Sequence, residues 1–495
     1  MTWEPPGAGV WWFTREHFPV PVSRLFASLF PLTVIGWQRA AARYGWPIES
    51  TTFASVNGWL YYSPGTTDWD ASLALEPVAE RTIATQSWRA EIDRWYDEER
   101  PLVLERNLAL QAEDLGALGD AELAGHIDRA ITHFAAVAPL HFEHTGFDIA
   151  IGLLLRATAE WGIDDAEVIG LLAGSSPATS AISTHLDQIV RGLKSAPTSL
   201  DGVRAHNPAA FDALWREHAW RVIDGNDLAG PTLGERPGLV VAAIRSRMEA
   251  GPRQVEPDMN AVRTRVPAAE TERFTELVAD ARGLYSLRDD DNGLCFVWPL
   301  GLIRRGVLEA GRRLVGRAAL READDLFDAT PDEIGALLQG DGPRGELEPP
   351  VQLGDMPEGE ERPLPPHMAE LSAIRQVYFS ASGGRSAGAM HGLGIGNGAV
   401  TGPARCLVDD DAIDRIEPGD VLIAVTTTCN LNSVFPLLAG VATEEGGLFS
   451  HTALLARELG IPGVVGAPGL LSAISDGDLV EIDAAEGIVR VIERP

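Results

Sequence analysis

The sequence predicts a multidomain protein, with a mainly α-helical part followed by a smaller C-terminal α/β domain. From about residue 81 to 339, apolar residues recur at the i, i+3 and i+4 spacing of amphipathic helices. After residue 388, short apolar strands alternate with Gly-rich turns and short helices. Between these parts lies a segment rich in Pro, Gly and Glu. With 495 residues, the chain is long enough for several domains.

Residues 1–80 form an aromatic-rich segment that we group with the helical part. Val22 to Gly45 has helical spacing, interrupted by Pro31, and Ser55 to Tyr62 predicts a strand. We expect most of these aromatic side chains to lie in a core. A minority can line an apolar binding pocket.

Residues 81–339 are predicted to be helical almost throughout. The segments with helical apolar spacing are 88–110, 120–137, 146–161, 180–193, 211–222, 238–250, 270–287, 300–315 and 332–338. Turn residues separate them, for example Gly174 to Pro177.

One polar cluster in the helical part consists of His141, Glu143 and His144, which precede an apolar helix. Histidines at i and i+3 on a helix can face one pocket, where one of them can deprotonate a hydroxyl group. The same residues also fit a solvated helix N-terminus. Their spacing is a weak metal signal, because no HExxH motif is present, and we predict no metal site.

Residues 340–387 are predicted to be a linker with semi-rigid Pro-rich stretches, and 388–495 the last domain. A domain that carries a chemical group between two sites needs such a tether.

The formal charge of −31, from 71 acidic and 40 basic residues, argues against binding to nucleic acid or to an anionic membrane. Three cysteines, without CxxC spacing, give no disulfide framework or zinc site. The N-terminus lacks the pattern of a signal peptide, and Leu25 to Trp37 is too short to span a bilayer. We therefore expect a cytoplasmic protein.

The most informative stretch is Val441 to Gly466. Ser450 is a good helix N-cap, and Gly460 with Pro462 ends a helix that begins near Thr452. His451 would thus lie at a helix N-terminus, where free N–H groups favour an anion. Imidazole is a competent nucleophile, so this position suits a histidine that accepts a phosphoryl group. The alternative is a surface or capping histidine.

This stretch resembles the phosphohistidine motif of the swivelling domain in the PEP-utilising enzymes, roughly T-x-x-G-G-x-x-S-H-x-A-x-x-A-R-E-x-G-I-P. The matching residues are Thr443, Gly446, Gly447, Ser450, His451, Ala453, Ala456, Arg457, Glu458, Gly460, Ile461 and Pro462. The resemblance implies that His451 carries a phosphoryl group. It also implies that Gly446, Gly447 and the helix N-terminus cradle that group, with Arg457 as a charge partner.

The helical part resembles, more weakly, the corresponding region of rifampin phosphotransferase, which implies a substrate-binding domain. In that resemblance Arg288 and Arg304 are candidate phosphate ligands, since Arg recognises phosphate bidentately. Each can instead pair with an acidic residue on a solvated face. Where related chains commonly have Gly-His-Arg, this chain has Trp220 and Arg221, with His218 close by. An aromatic residue there can shape a flat, apolar pocket.

The multidomain relatives also have an ATP-grasp domain, and these 495 residues show no pattern of one. We therefore expect a split, dikinase-like phosphotransferase. A separate ATP-grasp subunit would bind ATP and Mg²⁺, and a small hydrophobic or aromatic molecule would supply the acceptor hydroxyl. Similarity to the phosphohistidine subunit of phenylphosphate synthase agrees with this.

Three other interpretations stay open. Phosphorylation can activate the substrate for a net dehydration or condensation. The chain can be a ligand-binding or regulatory homologue without turnover. Finally, His451 can act as an acid or base in chemistry without phosphate.

Overall fold

The structure is a computed structural model. It describes residues 11–14, 17–18, 20–44, 52–63, 76–144, 149–223, 226–250, 257–340, 385–386, 389–396, 398–408, 412–427, 429–448 and 450–495. Most of the predicted linker, 340–387, therefore lies outside the described residues.

The chain divides into two compact units, each assembled from several segments. Unit 1 comprises Met1–Phe147, Trp220–Thr232 and Asp291–His367, and unit 2 comprises Asp148–Ala219, Leu233–Asp290 and Met368–Pro495. The predicted fold class is confirmed, because a mostly helical N-terminal region precedes a C-terminal domain with a mixed sheet.

Eighteen α-helices are described within these ranges. They are α1 Arg24–Leu29, α2 Val34–Tyr44, α3 Glu76–Thr85, α4 Trp88–Arg94, α5 Arg100–Ala112, α6 Asp120–Glu143, α7 Ile149–Glu160, α8 Asp165–Gly170, α9 Pro177–Val190, α10 Leu200–His206, α11 Pro208–His218, α12 Pro237–Ala250, α13 Met259–Arg263, α14 Thr271–Asp291, α15 Trp298–Gly316, α16 Pro331–Gln339, α17 His451–Leu459 and α18 Leu470–Ala473. Among the described residues, no helix is both long and apolar enough to cross a membrane.

Two π-helical stretches interrupt this regular pattern. Trp95–Glu99 joins α4 to α5, and Asn292–Val297 joins α14 to α15. Stretches of this kind recur at functional sites.

Unit 1 pairs a three-stranded antiparallel sheet with helices. The sheet has the order β1 (Trp12–Phe13), β3 (Trp59–Ser63), β2 (Thr52–Val56). Its core contains the fully buried rings of Trp88, Trp95 and Trp298.

Helix α6 differs from its prediction. Its apolar spacing predicts an end near Val137, but the helix continues through Pro139 to Glu143. Proline removes a backbone donor, and its ring clashes with the carbonyl of residue i−4, which kinks or breaks a helix. Packing compensates here, since α2 approaches so closely that a Cβ on Gly36 would lie 2.0 Å from the Pro139 carbonyl oxygen. His141 and His144 therefore lie at a helix C-terminus and not at the N-terminus that we considered.

Unit 2 contains a nine-stranded mixed sheet with the order β4-β5-β12-β11-β7-β8-β9-β10-β6. Its strands are β4 Arg385–Ser386, β5 Ala389–His391, β6 Leu393–Ile395, β7 Ala399–Cys406, β8 Val421–Ala424, β9 Gly440–Thr443, β10 Gly463–Val465, β11 Leu479–Asp483 and β12 Ile488–Glu493. Strands β7 to β10 run parallel, and the other neighbouring pairs are antiparallel.

Within unit 2, the C-terminal sheet domain and the helices share a hydrophobic core. Leu454, on α17, belongs to the same buried cluster as residues of α7, α8 and α14. The Gly174 N–H donates to Glu458 Oε1 at 3.1 Å, and Ser246 Oγ donates to the Pro436 carbonyl at 2.9 Å. Helix α17 is thus buried on both sides, against the sheet and against these helices.

Candidate active site

His451 lies at the carboxyl end of a parallel strand. Strand β9 ends at Thr443, a loop follows, α17 begins at His451, and the chain returns through β10, which is parallel to β9. In parallel sheets, ligands bind outside the carboxyl ends of the strands, and a helix N-terminus there favours anions.

The loop before His451 is fixed by its own residues. Gly446 has φ +111°, and a Cβ there would lie 3.0 Å from Ser450 Oγ. The Ser450 N–H donates to the Gly447 carbonyl at 3.0 Å, and Ser450 Oγ caps α17 by accepting from the Ala453 N–H at 3.4 Å. Because of this positive φ and the close Ser450 side chain, glycine is the only residue that fits position 446 without strain.

Arg457 reaches back to the same loop. Its Nη1 donates to the Leu448 carbonyl at 2.6 Å, and burial lowers the pKa of its guanidinium to about 10. The described contact of Arg457 is therefore with the loop backbone. Its predicted role as a charge partner of the phosphoryl group stays a prediction.

Asn432 contacts the candidate nucleophile directly. Its Oδ1 lies 2.7 Å from His451 Nε2. Asn432 belongs to the short helical turn Cys429–Ser433, which follows β8. Our sequence reasoning missed this residue, although parallel neighbours β8 and β9 bring their carboxyl ends together.

The electrostatics of the site favour an uncharged imidazole. Burial and the nearby Arg288 guanidinium lower the pKa of His451 to about 3. The ring is therefore neutral at physiological pH and keeps a nitrogen lone pair, as a nucleophile requires.

The two predicted phosphate-binding arginines lie in different surroundings. Arg288, on α14, is close enough to influence His451 in unit 2. Arg304, in unit 1, donates to the carbonyls of Leu228 and Ala229 and lies over the Phe327 ring. The charge of Arg288 thus reaches His451, whereas the described contacts of Arg304 hold a loop.

A second polar cluster, in unit 1, joins His141, His144, Asp291 and Glu99. The Nδ1 atoms of His141 and His144 lie 2.8 and 2.9 Å from the two carboxylate oxygens of Asp291. His144 Nε2 lies 3.0 Å from Glu99 Oε2. The i, i+3 spacing predicted this shared face, but neither carboxylate was among the predicted residues.

His144 is an internal cation. Burial alone would lower its pKa, but hydrogen bonds to Asp291 and Glu99 outweigh burial and raise the pKa to about 9. His144 lies at the C-terminus of α6, where the helix dipole also favours a positive charge.

Glu143 points to other partners. It pairs with Arg43 through a short contact and with Arg39 at 3.4 Å. Among the described residues, no group of three or more His, Cys, Asp or Glu side chains has an arrangement that could hold a metal ion.

The remaining predicted substrate-binding residues are divided between the units. In unit 1 the Arg305 guanidinium lies over the Trp220 ring, and the Arg221 guanidinium lies over Trp298. His218 is buried in unit 2 beside His185, with ring centroids 5.7 Å apart. Their predicted contact with a substrate stays a prediction.

Comparison with known proteins agrees with the motif. Residues 416–487 match the family model of the PEP-utilising enzyme, mobile domain. An uncharacterized protein of Mycobacterium tuberculosis is 28% identical over 75% of this chain and 43% of its own length. Rifampicin phosphotransferase of Streptomyces sviceus is 26% identical over 57% of this chain and 34% of its own.

The uncharacterized phosphotransferase YvkC of Bacillus subtilis is 28% identical over 38% of this chain and 23% of its own. This chain thus spans less than half the length of each of these three relatives. Residues 416–487, with His451 at the start of α17, thus match the mobile domain of the PEP-utilising enzyme, and the chain is similar to proteins named as phosphotransferases.

Proposed function

We propose that this chain carries a phosphoryl group on His451 and transfers it to a hydroxyl group of a small hydrophobic or aromatic molecule. The observation that most supports this proposal is the state of His451. Its imidazole is neutral, lies at a helix N-terminus, is held by Asn432, and is close enough to the Arg288 guanidinium for that charge to lower its pKa. A nucleophile, an anion-favouring backbone and a cation are thus together.

The first step loads the carrier. A lone pair of His451 attacks the β-phosphorus of ATP, an N–P bond forms, and the bond from the β-phosphorus to the oxygen of AMP breaks. His451 then holds both the β- and γ-phosphoryl groups. Water attacks the γ-phosphorus, the bond from that phosphorus to the β–γ bridging oxygen breaks, and the proton of water goes to solvent. The β-phosphoryl group stays on His451, and the by-products are AMP and inorganic phosphate. Arg288 and the N–H groups of α17 offset the negative charge brought to the site.

The second step discharges the carrier. The acceptor oxygen attacks phosphorus, the N–P bond breaks, and His451 recovers its lone pair. The hydroxyl proton leaves to a base. Splitting the transfer into two in-line steps lets each step be catalysed by positioning and charge neutralisation.

An ATP-grasp partner that binds Mg-ATP is part of this proposal. It is supported by the similarity to phosphotransferases whose sequences extend well beyond the part that this chain matches. The unit 1 aromatic residues support an apolar acceptor, because aromatic rings stack on flat apolar groups.

The test uses ATP labelled with ³²P at the β-position. The chain is incubated with this ATP, with and without a co-encoded ATP-grasp protein, and acid-labile label on the chain is measured. We expect label only with the partner, no label in His451→Ala, and normal label in the control His206→Ala, since His206 is exposed. Absence of label from the folded wild-type chain with an active partner would overturn the proposal.

A further inference from the structure

We propose that His141 is the general base that takes the proton of the acceptor hydroxyl, and that Asp291 is the positioning residue that orients its ring. This inference rests on the proposed phosphotransfer, and it separates the roles of two histidines that the sequence left equivalent.

Asp291 fixes the tautomer of His141. The Asp291 carboxylate is fully buried, and its Oδ1 lies 2.8 Å from His141 Nδ1. A carboxylate only accepts, so in neutral His141 the proton is on Nδ1 and the lone pair on Nε2. A histidine held in this way by a buried carboxylate is prepared to take a proton at Nε2.

His144 cannot take this role. Its side chain is fully buried, and both ring nitrogens face carboxylates, Asp291 at 2.9 Å and Glu99 at 3.0 Å. His141, in contrast, has 18% of its side chain exposed. His144 as a cation is thus an ion-pair partner of Asp291 in the interior.

The surroundings of His141 fit an apolar acceptor. Its ring centroid lies 5.1 Å from that of Phe142 and 6.2 Å from that of Phe296. Phe142 in turn lies 6.0 Å from Phe30 and from Trp37. A partly exposed base among aromatic rings suits a phenol or a hydrophobic alcohol better than a sugar or a charged substrate.

The two π-helical stretches place these groups. Glu99 ends the first stretch, while Asp291 directly precedes the second, which contains Phe296. Glu99 and Phe296 therefore lie on π-helical backbone, and Asp291 lies at the junction between α14 and the second stretch.

In the proposed step, His141 Nε2 takes the hydroxyl proton as the acceptor oxygen bonds to phosphorus. The N–P bond of the loaded carrier breaks in the same step, and its electron pair returns to the carrier imidazole. The imidazolium of His141 later releases its proton to water.

The experiment separates loading from discharge. Wild type, His141→Gln, Asp291→Asn and the exposed control His17→Gln are loaded from β-labelled ATP with the ATP-grasp protein. Loss of label is then followed after addition of phenol, 2-naphthol or rifampicin. We expect all four to load equally, and discharge to fall about 10²–10⁴-fold in His141→Gln, the usual contribution of a general base. Equal discharge by His141→Gln and wild type would overturn the inference.

A second measurement does not depend on turnover. In protein labelled with ¹⁵N-histidine, the signal of His141 is assigned by its loss in His141→Gln. We expect the neutral ring to carry its proton on Nδ1 in wild type and to lose this preference in Asp291→Asn. A proton on Nε2 in wild type would overturn the inference even if none of the three probes is an acceptor. A wild type that fails to load would overturn the proposed function alone.

Discussion

Asn432 Oδ1 lies 2.7 Å from His451 Nε2, so an amide that follows one parallel strand holds the imidazole that follows the next. An amide oxygen accepts from a ring N–H and has no charge of its own. It can therefore orient the neutral ring without attracting a proton to it.

Replacing Asn432 tests this relationship. We expect Asn432→Leu to slow loading about 5- to 10-fold, the value of one hydrogen bond of roughly 1 kcal/mol. Asn432→Asp should be slower still, because its charge raises the pKa of His451 and repels phosphate. Initial rates of label uptake measure loading in both variants. Equal loading by the two variants would contradict an electrostatic contribution.

Arg288 is expected to keep His451 uncharged. In Arg288→Gln the pKa of His451 should rise from about 3 toward its ordinary value, since one of the two causes of the shift is removed. An NMR titration of the His451 ring measures this, with Arg304→Gln as the control in unit 1. Between pH 3 and 6.5 the unfolded chain binds more protons at this site, so this site makes wild-type stability fall as pH falls through that window. An unchanged pKa would show that burial alone sets it.

Gly446 is predicted to tolerate no side chain. Gly446→Ala combines φ +111° with a Cβ 3.0 Å from Ser450 Oγ, so we expect a cost of about 1–3 kcal/mol and strongly reduced loading. Gly419→Ala is a matched control, because Gly419 has φ +98° with nothing within 4 Å of its Cβ. Chemical unfolding and label uptake are measured for both. If the control loses as much loading, strain and not the contact with Ser450 is responsible.

His144 is expected to make unit 1 less stable in alkali. Its pKa is raised from 6.5 to about 9, so its contribution is fully present below pH 6.5 and is lost as pH rises through 9. Between pH 6.5 and pH 9, His144 thus loses a contribution to the free energy of unfolding on the order of 3 kcal/mol. Urea unfolding of wild type and His144→Gln at pH 6 and pH 9.5 measures it. We expect the variant, which leaves two carboxylates without their cation, to be much less stable at pH 6 and to lack this part of the pH dependence.

The sequence predicted the local features of the carrier loop well. Ser450 caps α17, and Gly460 ends it with φ +63°, as their residue types indicated. The helix begins at His451, one residue before the prediction. Such features depend on short-range hydrogen bonds and backbone conformation, which a few neighbouring residues determine.

The partners of the histidines could not be predicted in the same way. Asn432 is 19 residues from His451, and Asp291 is 150 residues from His141. Only the pairing of strands and the packing of helices bring them together. The continuation of α6 past Pro139 has the same origin, because the contact with Gly36 comes from another helix.

The burial of Leu454 among residues 151–172 and 262–285 has a consequence for biosynthesis. The helices of unit 2 emerge from the ribosome long before α17. The hydrophobic core that they share is therefore incomplete until α17 has been synthesised. Folding of this unit therefore depends on contacts of very long sequence separation and is expected to be slow. Until α17 arrives, the open apolar surface is a target for chaperones.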